Sequence, residues 1–239
     1  ALTINASGIT QFNGLVNVGS VATDAPGTVK FNIATPNLTD SVLTTGTQTY
    51  RDAVVLLKDT TLTSSGTGAA GNIGFVETVM GESTTAHDLT INGANVNFAK
   101  SVGSSAAVIG ALTVNTSEIT QFNDVVSVNR ITTGASGTVK FNIQAPNLGA
   151  SVLTSGTQNY NGAVILLTDT TLTSTGTNAS GNMTFGGMVM GDSTTARALT
   201  LNATNVNFGA PVGSATAKIG ALTINASGNT QFNDVVNVD

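Results

Sequence analysis

Side chains able to do chemistry are sparse in this sequence. Its 239 residues include 13 Asp and Glu, 8 Lys and Arg, one histidine and no cysteine. Zero cysteine excludes thiolate metal centres and disulfides. The charged positions that recur do so at one fixed spacing: Lys30 with Lys140, Asp59 with Asp169, Glu82 with Asp192, and His87 with Arg197. Cleaving a glycosidic bond takes two carboxylates placed across it. These acids stand singly along the chain and read as solvated corners. The exchange of His87 for Arg197 argues for a surface position and against catalysis or metal binding. Neither the glycine-rich calcium nonapeptide of some solenoids nor an acidic loop of EF-hand type occurs. The Asn-x-Ser/Thr triplets at Asn5-Ala6-Ser7 and Asn37-Leu38-Thr39 are expected by chance in a chain this rich in Asn and Thr. No catalytic, cofactor-binding or metal-binding residue is assigned. No cofactor is expected, and the chain reads as a non-enzyme.

The shared spacing of those charges is a property of the whole chain. Residues 1–110 align with 111–220 without a gap at 68 identical positions, and 221–239 begin a third block. Internal repetition of this kind constrains the fold more than any single residue. The sequence reads as a window on a longer array, so the missing signal peptide carries no weight.

A shorter period lies inside each block. The aromatic residues are Phe12, Phe31, Tyr50, Phe75, Phe98, Phe122, Phe141, Tyr160, Phe185, Phe208 and Phe232, with no tryptophan. Their gaps run 19, 19, 25, 23 and 24, and then repeat. The implied unit is about 22 residues, five to a block. In most units a valine follows four residues after the ring, as at Val16, Val54, Val79 and Val102. The unit at Phe31 breaks this with Thr35 and Pro36. A Leu-Thr pair precedes most rings, as at Leu2, Leu43, Leu62 and Leu89.

Composition selects the secondary structure. With 40 Thr, 25 Asn and 27 Gly the chain favours strands and turns, and no stretch has a helical apolar period. Charged residues make up 9%, against about 25% in ordinary soluble domains. A unit of about 22 residues cannot bury a face alone, so neighbours must stack. The expectation is an all-β parallel β-solenoid with one unit per turn, five turns per block, and a rise of roughly 4.8 Å per turn. The eleven rings then form one buried column, and Asn and Thr ladders run beside it. One block should advance about 24 Å. A string of β-sandwiches, one to a block, is the alternative, but a sandwich needs no ring in every short unit.

The stretches ALTINASGITQFNGLVNVG, GTQTYRDAVVLLKDTTLTS and GNIGF with VMG after it resemble the strand repeats of filamentous-haemagglutinin-like giant bacterial surface adhesins and related exoproteins. The resemblance covers the whole chain and lies in repeat style. It implies a right-handed β-helical shaft, secreted and held at the bacterial cell surface. No secretion-domain signature is present. The long gap-free block departs from looser adhesin repeats and favours a stalk or fibre.

Partners follow from charge and surface. A net charge of −5 with scattered basic residues argues against nucleic acid. No apolar run is long enough to span a bilayer. The expected partner is the chain itself, laterally or end to end, with host or matrix glycans or surfaces as further candidates. A carbohydrate-binding or carbohydrate-cleaving β-helix is the second functional reading. The runs Ala53–Leu57 and Ala163–Leu167 are apolar throughout, so Val55, Leu57, Ile165 and Leu167 should face outward as a lateral contact. Thr-x-Thr pairs at Thr47 to Thr49 and Thr61 to Thr63 come in one turn of five, too seldom for a flat ice-binding array.

Overall fold

A computed structural model describes residues 1–34, 40–83, 85–144, 149–192 and 195–239. Thr35, Pro36 and the Asn37 triplet lie outside these residues. The described chain is all-β, with two single-turn 3₁₀ segments at Gly68–Gly71 and Asn178–Gly181. It is a parallel β-solenoid of about nine turns. Strands are mostly three to five residues long because Gly, Asn and Asp break the valine- and threonine-rich runs into corners. Along each strand alternate residues point in and out. Thr60–Ser64, for example, buries Thr60, Leu62 and Ser64 and leaves Thr61 and Thr63 half-buried on the outside.

Three ladders of inward residues run along the axis, one per face. The first is Leu2, Val21, Gln48, Ile73, Val96, Thr120, Val139, Val164, Val189, Val212 and Val236. The second is Thr10, Val29, Val54, Val79, Val102, Val126, Val152, Leu172, Leu201 and Ile224. The third is Val16, Val42, Leu62, Ile91, Val114, Thr133, Tyr160, Phe185, Phe208 and Phe232. Every rung is a parallel pairing, so each strand satisfies its backbone groups with the turn before and the turn after.

Turn length varies, as the uneven ring gaps implied: the step is 19 from Thr10 to Val29 and 29 from Leu172 to Leu201. The register corrects one expectation, for one block does not make five turns. Thr10 lies on the second ladder, but its equivalent Thr120 lies on the first; Val16 lies on the third, but Val126 lies on the second. Five turns from Leu2 lead to Thr120, which lies one face past the residue equivalent to Leu2, Leu112. One block therefore winds four and two-thirds turns, and each block is rotated by a third of a turn from the last.

The rings are affected directly. Phe12 pairs with Phe31, but the rung after Phe31 is Leu56. Tyr50 starts a new run on another face, Tyr50, Phe75, Phe98, Phe122 and Phe141, and Tyr160 starts the next. The interior string of rings stays unbroken, with centroids 4.9–5.9 Å apart. Within a run the planes lie within 21° of parallel. At the two face changes, Phe31 to Tyr50 and Phe141 to Tyr160, they meet edge to face at 85° and 88°. Both geometries suit the ring quadrupole.

Tyrosine stands at each change of face because the space there is partly polar. The Tyr50 hydroxyl donates to Gln48 Oε1 at 2.8 Å. Gln48 Nε2 donates to the Thr63 carbonyl at 2.9 Å and to Thr44 Oγ1 at 3.2 Å. The second block repeats the network with Tyr160, Gln158, Thr173 and Thr154. Burial raises the pKa of both phenols. They therefore stay protonated donors, and the network is fully satisfied.

Candidate functional site: the outward threonine and asparagine face

The ionisable residues singled out in the sequence sit at corners and on outer rows. Lys30 lies on the row Gln11, Lys30, Val55, Met80, and Lys140 on the row Gln121, Lys140, Ile165, Met190. Asp59 Oδ1 accepts the Asp88 backbone N–H at 2.9 Å, and Asp169 Oδ1 accepts that of Ala198 at 3.0 Å. Both carboxylates thus tie one corner to the next turn.

His87 is not the open surface residue expected. Its side chain is 12% exposed, with Nδ1 3.6 Å from Asp59 and Nε2 3.7 Å from Glu82. In the second block Arg197 reaches Asp192 at 3.8 Å. Stacking has gathered two acids that stand far apart in sequence. They flank the ring one on each nitrogen, so the imidazole separates them. Among the described residues no group of three His, Cys, Asp or Glu side chains is placed to hold a metal ion. The surface hollow lined by Ser174, Thr177, Asn178 and Thr204 carries no ionisable side chain.

Asp52 is the buried carboxylic acid among the described residues. It is 1% exposed, and neither carboxylate oxygen has a hydrogen-bond partner. Burial raises its pKa, and the charge of Asp24 adds to it. Its equivalent is Gly162, so this acid belongs to one block alone. The folded state holds the Asp52 proton more tightly than the unfolded chain, whose ordinary value is 3.8. Its contribution to stability is therefore full below that value and is lost as pH rises through the raised pKa. Denaturant midpoints of the wild type should fall relative to Asp52→Asn over that rise. Parallel curves for the two proteins would refute the assignment.

One ordered outer surface is neutral. Thr61, Thr90, Thr113 and Thr132 form one outward row over four successive turns. Beside it run Thr63, Asn92 and Asn115. Asn92 Nδ2 donates to Thr63 Oγ1 at 3.0 Å, and Asn115 Nδ2 donates to Asn92 Oδ1 at 3.0 Å. The second block repeats both rows: Thr171, Thr200, Thr223 and Thr173, Asn202, Asn225. This second pair of rows lies a third of a turn round from the first. Other amide ladders flank the rings, such as Asn97, Asn123 and Asn142 at 2.9 Å per link. Asn92 and Asn202 each spend one donor and one acceptor along the axis and keep the other amide hydrogen and lone pair spare.

Sequence reasoning expected Asn and Thr ladders but missed these paired outer rows because it sought a Thr-x-Thr pair on every turn. The stacked motifs are Thr61-Leu62-Thr63, Thr90-Ile91-Asn92 and Thr113-Val114-Asn115. The shared pattern of threonine, apolar residue, then Thr or Asn was the available signal. Val55, Leu57, Ile165 and Leu167 are all half-buried, with Val55 between Lys30 and Met80 on its row. Compared with protein-family models, curated proteins and solved structures, the chain matches none.

Proposed function

We propose that this chain is a length of stiff structural shaft from an extracellular bacterial filament or giant surface adhesin, without enzymatic activity. The observation that supports the reading is the unbroken first ladder, Leu2 to Val236, with rings in contact from Phe12 to Phe232. Backbone pairing continuous along one axis resists bending and leaves few sites for a protease to open. About nine turns give a rod on the order of 45 Å. A right-handed winding is part of the proposal, since parallel crossovers take that hand in about 98% of cases. Low charge and absent cysteine suit a secreted repetitive rod. No helix among the described residues is long and apolar enough to cross a membrane.

A shaft predicts a definite image. Cryo-electron microscopy of the native, full-length material should show thin rods with layers about 4.8 Å apart. Discrete short particles, or beads about 40 Å apart as sandwich domains would give, would refute the shaft. The carbohydrate-cleaving reading gains no support from the site, where the two gathered carboxylates are held apart by His87.

A further inference from the structure

We propose that the threonine and asparagine face is a lateral docking face for a second copy of this chain, an inference that rests on the shaft reading. Its outer rows are neutral, in register and self-complementary, because a hydroxyl or amide both donates and accepts. Flat parallel stacks with amide ladders pair sheet to sheet by interdigitating their outer side chains. Motifs such as TTLTS, LTIN and LTVN have the strand propensity, low charge and lack of proline that such pairing takes. The backbone beneath is fixed by pairing above and below, so a contact orders only side chains. The threonines from Thr61 to Thr132 are already half-buried, and the asparagines are already held in ladders. The entropic cost of docking is correspondingly small.

The third-of-a-turn rotation fixes the arrangement of neighbours. The first block presents its paired rows at Thr61 to Thr132, where the threonine row runs on as Asn159, Thr184 and Asn207, and the second presents Thr171 to Thr223 on the next face. The Thr171 rows begin about 22 Å further along the axis. Neighbouring rods therefore approach this chain on two faces, and the bundle is not a flat ribbon. One patch covers roughly 17 by 19 Å, about 300 Å², well short of the roughly 800 Å² per partner of a standard interface. A single patch thus binds weakly, and attachment strengthens as longer rods bring more patches to each side.

The test sets two lysine variants of equal charge side by side. One carries Thr90→Lys, Thr113→Lys, Thr200→Lys and Thr223→Lys. The other carries Val55→Lys, Met80→Lys, Ile165→Lys and Met190→Lys on the outer row that includes the apolar spots. Circular dichroism checks that both keep the strand signal, and sedimentation measures association of the whole chain against concentration. The wild type should associate reversibly below about 1 mM. The threonine variant should need at least about tenfold more protein for the same association, and the row variant should behave as wild type. Dispersal by the row variant, equal dispersal by both, or no effect of either overturns the face. So does a wild type that stays monomeric at about 1 mM. Isolated rods with layers about 4.8 Å apart that never bundle would remove the docking face and leave the shaft intact. The absence of rods would remove both.

Discussion

Truncating Phe75 to alanine is expected to destabilise the chain by about 3–5 kcal/mol, the range for removing a buried aromatic side chain. Phe75 is 1% exposed and lies between Tyr50 at 5.3 Å and Phe98 at 5.0 Å, stacked on both sides. Its loss strips the facing surface from two rings at once, and the backbone pairing above and below keeps the turns from closing the gap. The comparison is Phe232→Ala. That ring is 41% exposed and has one ring neighbour, Phe208 at 4.9 Å, so its loss should cost well under half as much. Urea denaturation of the two variants reads the difference. Nearest-neighbour stabilities add along such a stack, so the Phe75 variant should also lose cooperativity at its middle. Equal losses at the two sites would mean that the rings are not an interior string.

Gly103→Ala should fail for a different reason. Gly103 has φ +69°, the left-handed region, which costs an L-residue about 1–2 kcal/mol. A Cβ there would also fall on the Ser127 carbonyl oxygen of the next turn, far inside contact distance. Backbone cannot rotate away as a side chain can, so two turns must part. The Val79 carbonyl that accepts the Gly103 N–H, and the Val102 carbonyl that accepts the Ser127 N–H, would lose those bonds. We expect a loss of more than about 3 kcal/mol, the strain and two backbone hydrogen bonds together, or failure to fold. Gly213, its equivalent, has φ +72° and meets Asn237 in the same way. Gly74→Ala supplies the control. That glycine is in a strand with nothing near its Cβ direction, and alanine there should be neutral or stabilising by up to about 1 kcal/mol. Thermal melts of the two variants decide the matter; a Gly103→Ala protein that melts like wild type would disprove the close approach.

The parts of this fold that depend on residue type could be read in advance. Valine and threonine alternation with Gly and Asn corners gave short strands. The regular rings gave stacking, because units of this size cannot bury a face alone. The Asn ladders followed, since in a parallel stack a side chain lies over its counterpart and an amide both donates and accepts. His87 was misplaced because its carboxylate neighbours come from a neighbouring turn and from the far side of its own corner.

Register was the quantity that no residue type carries. Alignment pairs like with like, so it set Phe31 over Tyr50. Hydrogen bonding pairs whichever strand arrives one turn later, and that is Leu56 over Phe31. The difference is how many residues each corner spends, and small polar residues spend them without a distinguishing mark. Composition and spacing by themselves determined an all-β stack with an interior string of rings. Only the tertiary structure decided that one block winds four and two-thirds turns. From that fraction follow the edge-on tyrosines at each change of face, the Gln48 and Gln158 networks beneath them, and the turning of the threonine and asparagine rows from one face to the next.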